Sequence, residues 1–234
     1  MTIISLDFSV LFPGVCVCKD FKEFKWLAIV NSKLTKKKAK HLDDLCLKYS
    51  NISFSYTLSE RKKDPKYHLT ERNKLINYEE STDLLIDLIK SSVDLDDDLI
   101  VVIEGISFGS KGNALVDISQ STGIIRSKLV NQILKGDFDR FFVFSPGELK
   151  NAIGCKGNAG KGEIFDKFID DPIIEAVKGS DLYEACITEE WIKDSKGNIE
   201  SPIMDMIDSY LGAVKIYETL KITNNNGKEK EERG

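Results

Sequence analysis

Histidine is scarce in this chain, with two in total (His41 and His68), and long apolar runs are missing altogether. No stretch approaches the roughly 18 consecutive apolar residues that a membrane span requires. The N-terminus, Met1-Thr-Ile-Ile-Ser-Leu-Asp7, carries neither a basic segment nor a small-residue cleavage site. No secretory route is expected on that ground, and a cytoplasmic location is. The five cysteines, Cys16, Cys18, Cys46, Cys155 and Cys186, are odd in number, and two histidines are few to join them in a zinc site. Cys16 and Cys18 lie two apart in an apolar run, where strand geometry puts both on one face. Reduced, buried thiols are the expectation.

What is present is a globular composition, 41% hydrophobic and 30% charged, which excludes collagen-like and wholly disordered chains. At about 150 residues per domain, the 234 residues predict one large domain with an insertion. The net charge of −5 argues at first against a nucleic-acid partner, but it hides alternating blocks. Residues 19–75 hold 15 basic and 7 acidic residues, and 105–162 hold 8 and 4. Residues 79–104 reverse the balance with 9 acids and 1 base, as do 163–208 with 13 and 4. The basic blocks can follow a phosphate backbone at short range; solvated helix faces are the plainer reading of any one of them. Residues 223–234 contain no apolar side chain and read as a disordered tail.

Short β-branched or aromatic runs at 2–10, 14–19 and 25–31 predict three hairpin-connected strands. A helix is expected over 35–48, then an apolar-aromatic run at 52–58 and a helix over 81–92. This block, 32–98, reads as an insertion. Leu99-Ile-Val-Val-Ile103 is apolar throughout and suits a strand buried on both faces. A helix over 113–134 and a strand over 140–144 follow. Ser145-Pro146 and Ser201-Pro202 each signal a helix start, the second running to about Leu220. The order points to an α/β fold, a mixed sheet with helices packed on it.

Two carboxylates sit where burial is expensive. Asp7 lies in the first strand among Ile3, Ile4, Leu6 and Phe8, and Glu104 ends the most apolar strand; each needs a cation or several hydrogen bonds, unless it turns to water at the strand end. In the helix over 202–220, apolar residues occupy most of the circumference and leave a narrow stripe of Asp205, Asp208, Gly212, Lys215 and Thr219. Asp205 and Asp208 lie three apart with no cation four residues downstream of either, a mildly repulsive arrangement in a helix. Four carboxylates with few neutralising groups have the composition of a site for hard divalent cations. Two Mg²⁺ ions there would clamp the attacking and leaving oxygens of a phosphodiester.

These residues resemble the RuvC-like Holliday-junction resolvases of the ribonuclease H-like superfamily, in particular their bacteriophage branch. The likeness runs through Ile4-Ser-Leu-Asp7-Phe-Ser, Val101-Val-Ile-Glu104-Gly-Ile-Ser-Phe108-Gly, the segment Phe144-Ser-Pro-Gly-Glu-Leu-Lys150 to Lys161, and Asp205-x-x-Asp208. It covers residues 1–31 and 99–221. It implies a mixed five-stranded sheet with flanking helices and an insertion between the third and fourth core strands. It also implies two metals (Mg²⁺, with Mn²⁺ as a substitute) held by Asp7, Glu104, Asp205 and Asp208, and no organic cofactor. Lys150 and Lys161 match family lysines near the scissile phosphate, and Lys111 and Lys156 are further expected DNA contacts. Phe108 matches an aromatic that stacks on a base at the junction centre, one position further from Glu104 than in bacterial members. The implied activity is metal-dependent nicking of four-way junctions and other branched DNA, in the host cytoplasm or nucleoid if phage-encoded; a homodimer is expected, because symmetric cleavage of a two-fold junction needs two active sites.

Rival readings are a nuclease of RNA–DNA hybrids and a non-catalytic branched-DNA-binding protein. A P-loop fails at Cys155 and Gly162, which stand where G-x-x-x-x-G-K-[ST] requires glycine and a hydroxyl.

Overall fold

The computed structural model describes residues 1–9, 13–31, 34–57, 64–106, 112–194 and 197–231. The first three strands, β1 (Thr2–Asp7), β2 (Gly14–Lys19) and β3 (Glu23–Val30), form an antiparallel meander. Helix α1 (Lys36–Lys48) and strand β4 (Ile52–Tyr56) come next, then the long helix α2 (Tyr67–Ser92). Strand β5 (Leu99–Glu104), helix α3 (Asn113–Lys128) and strand β6 (Phe141–Phe144) complete the sheet. Helices α4 (Pro146–Ala152), α5 (Lys161–Asp170), α6 (Asp181–Thr188) and α7 (Ile203–Glu231) close the chain.

The sheet order is β4-β3-β2-β1-β5-β6. Only β2 runs against its neighbours; β5 pairs parallel to β1, β6 to β5, and β4 to β3. The inner five strands, β3-β2-β1-β5-β6, have the order and directions of the ribonuclease H-like sheet, with β4 added outside β3. The sheet thus has six strands where five were expected. The extra one comes from the 52–58 run, and it carries α1 with it. Helix α2, also within 32–98, is the crossover that a parallel neighbour for β1 demands.

Strand periodicity sorts the core into two layers. Ile4 and Leu6 of β1 join Leu99, Val101 and Ile103 of β5 beneath α2 and α3. Ile3 and Val102 face the other way, into the layer built around α7. Asp7 follows Ile3 and Ser5 at the same period, and Glu104 follows Val102, so both carboxylates emerge on the α7 face at the carboxyl ends of adjacent strands.

Several boundaries differ from those expected, each for a local reason. Helix α2 starts at Tyr67 rather than Ser81, because its first half lies against α3 through polar contacts such as Lys74 Nζ to Asp117 Oδ1 at 2.9 Å, leaving no apolar stripe to read. Helix α3 ends at Lys128 and passes into a π-helical turn, Leu129–Ile133. Ser145 caps α4 as its sequence signal indicates, with Glu148 accepting in return from the Ser145 N–H at 2.8 Å. Helix α7 runs to Glu231, through residues whose composition predicts a disordered tail; no proline interrupts 203–231, and extending a nucleated helix is cheaper than starting one. Cys16, Cys18, Cys155 and Cys186 are buried free thiols and Cys46 is half-buried. Burial pushes the Cys18 thiol up to about 12, which suits an inert packing residue.

Candidate metal centre

Two glycines let α7 descend onto the sheet. A Cβ at Gly14, the first residue of β2, would overlap the Asp205 carbonyl and come within 2.6 Å of the Met206 nitrogen. One at Gly212 would overlap Ser5 Oγ and lie 2.8 Å from Val102 Cγ1. With no side chains there, the helix backbone meets β1, β2 and β5 directly. The first turn of α7 is carried to the end of β1, and Asp205 and Asp208 meet Asp7.

Asp7, Asp205 and Asp208 offer carboxylate oxygens that lie within 4.8 Å of one another. Glu104 stands outside this trio, at the end of the neighbouring strand. Its charge nevertheless helps raise both Asp7 and Asp208. Burial, then Asp208, Glu104 and Asp205, hold the Asp7 carboxyl well above the usual range against a lowering by Lys161. Burial lifts Asp208 to about 7, with Asp205 and Glu104 adding to it and Lys161 and Lys150 opposing. Burial also raises Glu104, with Lys150 and Lys161 working against it. Among the described residues, Asp205 Oδ2 and Asp208 Oδ1 are buried without a hydrogen-bond partner.

Buried carboxylate oxygens left unpaired are costly, and three like charges in one pocket compound the cost. The donor set is all oxygen, which suits hard cations such as Mg²⁺ or Mn²⁺ rather than thiophilic metals. Asp7, Asp205 and Asp208 therefore form a cluster fit to hold metal ions, with Glu104 beside it. A cleft of about 150 Å³ opens next to it, lined by Asp7, Phe8, Glu104, Ile106, Ile118 and Thr122.

The expected lysines distribute unevenly. Lys161, at the start of α5, reaches into the cluster, with Nζ 3.4 Å from Asp205 Oδ1 and 3.6 Å from Asp208 Oδ2. Partial burial pulls its pKa down, but Asp205, Asp208 and Asp7 outweigh this and the net shift is upward. Lys150 donates from Nζ to the Ala159 carbonyl at 2.8 Å, tying α4 to the glycine-bearing turn before α5. Lys156 is exposed on that turn. Phe108 and Lys111 lie outside the described residues. The residues that sequence reasoning missed are Gly14, Gly212 and Ser5, which seat the helix. Their signal was a glycine inside a helix and one opening a buried strand, both of which mark close backbone approach.

No family model matches the chain, and no curated relative does. Among solved structures it is similar to Thermus thermophilus RuvC, at 12% identity and a TM-score of 0.43, covering 94% of this chain and 96% of that one. It is also similar to T. thermophilus RuvC in complex with Holliday junction substrate, at 12% identity and a TM-score of 0.41, covering 91% and 92%. Neither match points to the bacteriophage branch. The fold assignment stands on the strand order and directions.

Proposed function

We propose that this chain is a metal-dependent endodeoxyribonuclease that nicks branched DNA, above all four-way junctions. The observation that carries the reading is the meeting of Asp7, Asp205 and Asp208 with two buried, unpartnered carboxylate oxygens. The order of the four sequence motifs supports the choice of branched DNA over other phosphodiesters. Asp7, Asp205, Asp208 and Glu104 would hold two Mg²⁺ ions, for which Mn²⁺ substitutes. Bound there, the ions supply the positive charge that in-line phosphodiester hydrolysis needs on its attacking and leaving oxygens.

The chain's own groups have defined roles in this reading. The carboxylates fix the site rigidly, because each is mounted on a strand end or a buried helix. Lys161 offsets the charge of Asp205 and Asp208 and lies where a scissile phosphate would approach; Lys150 steadies the turn that presents Lys161. Lys156, Lys111 and Phe108 are further DNA contacts. A homodimer follows from the substrate, since a two-fold junction cut symmetrically requires two sites related by the same symmetry.

The test is cleavage of a synthetic four-way junction by the purified protein with Mg²⁺ or Mn²⁺, beside linear duplex and RNA–DNA hybrid. Nicking of the junction is expected, with Asp7→Asn abolishing cutting but retaining binding. Cleavage of the hybrid with the junction left intact would replace this reading by a hybrid nuclease. Junction binding with no cutting under either metal would leave a non-catalytic binder.

A further inference from the structure

Helix α1 opens with Lys36, Lys37 and Lys38, follows with Lys40, and has no acid in its first turn. Lys38 is engaged, its Nζ 2.6 Å from Glu200 Oε2. Lys36, Lys37 and Lys40 are exposed and make no side-chain ion pair or hydrogen bond among the described residues. Folding does not explain them. The helix N-terminus is the positive end of the dipole, so cations there oppose the helix rather than support it. Thr35 caps the Lys38 N–H, and the other first-turn N–H groups share the positive end of the helix with the lysines. An anion at this end would be stabilised by both.

The fold puts this turn at the catalytic edge. Strands β3 and β4 run in the direction of β1, and Asp7 lies level with Gly14, which lies level with Ala28. Val30 and Tyr56 therefore end at the same edge as Asp7, and α1 starts shortly after Val30. Helix α1 packs through Leu45 into the layer that holds α7. Glu200, held by Lys38, accepts the Met204 N–H at 3.2 Å through its carbonyl, next to Asp205. One ion pair and one helical turn thus connect the lysine turn to the metal-binding acids.

We propose that Lys36, Lys37 and Lys40 on α1 grip the phosphate backbone of a DNA arm beyond the cleavage point. This rests on the branched-DNA reading above. The added α1–β4 unit then serves to extend the positive surface along the sheet edge, beyond β3.

The test uses the full chain carrying Asp7→Asn, so that no strand is cut, and reads junction affinity across a salt series. Lys36→Glu/Lys37→Glu/Lys40→Glu is expected to weaken binding about tenfold or more and to lower the slope of log K against log salt by about 2 to 3. Lys90→Glu/Lys135→Glu, at the opposite edge of the sheet, is expected to change affinity less than about twofold, as distant surface charges do once screened. The loss is expected with long junction arms and to disappear when the arms are trimmed. The triple variant's melting temperature should hold or rise, since acids suit a helix N-terminus. If the parent binds the junction and the triple variant binds it equally with the same salt slope, the proposal is wrong while the nuclease reading stands. If the parent does not bind branched DNA at all, both fall.

Discussion

Gly14 and Asp205 touch through their backbones: there is no room at Gly14 for a Cβ beside the Asp205 carbonyl. The strand that only turns the chain back from β1 is thus what sets the height of the acid pair above Asp7. Gly14→Ala should push the first turn of α7 away. The overpacking should cost about 1–3 kcal/mol and weaken Mn²⁺ binding by more than the lost stability alone accounts for. Thermal melts with and without Mn²⁺ check both effects.

Gly212 makes the matching approach lower down, to Ser5 and Val102. Gly212→Ala should destabilise by a similar amount, about 1–3 kcal/mol. Ser5→Ala removes the nearest atom it would meet, so the double variant should recover part of the loss. A cycle of the two single variants and the double one, read by denaturant unfolding, should show non-additivity of the kind expected for residues in contact.

The pH dependence of the metal-free protein follows from Asp208. An ordinary aspartate releases its proton near 3.8, whereas in the fold this one holds it to about 7. Between those values the folded chain binds more protons than the unfolded chain, so stability falls as pH rises through that window and levels off above it. The upward shifts of Asp7 and Glu104 act in the same direction. Divalent metal needs the deprotonated carboxylates, so Mg²⁺ or Mn²⁺ should raise the melting temperature more at about pH 8 than at about pH 5.5. Asp208→Asn should flatten the metal-free profile; an unchanged slope would contradict the burial of this carboxyl.

Lys161 faces Asp205 and Asp208 at 3.4 and 3.6 Å. Lys161→Gln should lower the melting temperature of the metal-free protein at about pH 8, where Asp208 is charged, and lower it less at about pH 5.5, where Asp208 keeps its proton. Nicking should fall as well, with Lys161→Arg restoring the melt more fully than the rate, because guanidinium and ammonium differ in geometry.

The acids were legible because each violates a pattern that the surrounding residues keep. Asp7 and Glu104 interrupt apolar strands, and Asp205 and Asp208 occupy the narrow polar stripe of an otherwise apolar helix. The pattern did not show that Glu104 stands apart from the close trio, since side-chain reach is not a property of spacing. Strand β4 was visible only as a short apolar-aromatic run, because an edge strand of five residues lacks the length to declare its pairing. The first half of α2 has Leu69, Leu75, Ile76 and Tyr78 scattered among polar residues and gave no clear periodicity. Gly14 opens one strand run and Gly212 falls in the polar stripe of the last helix; the closeness they permit belongs to the packing of elements that are distant in sequence, which no single segment displays.

Helix α7 is buried around nearly its whole circumference from Ile203 to Ile216. The consequence is mechanical. Asp205 and Asp208 cannot drift from Asp7 to relieve their mutual repulsion without dragging the centre of the larger core layer with them. Amide hydrogens along this stretch should be among the slowest in the molecule to exchange. The acid pocket is accordingly a loaded and clamped arrangement, whose repulsion Lys161 offsets in part and an arriving cation or proton discharges further.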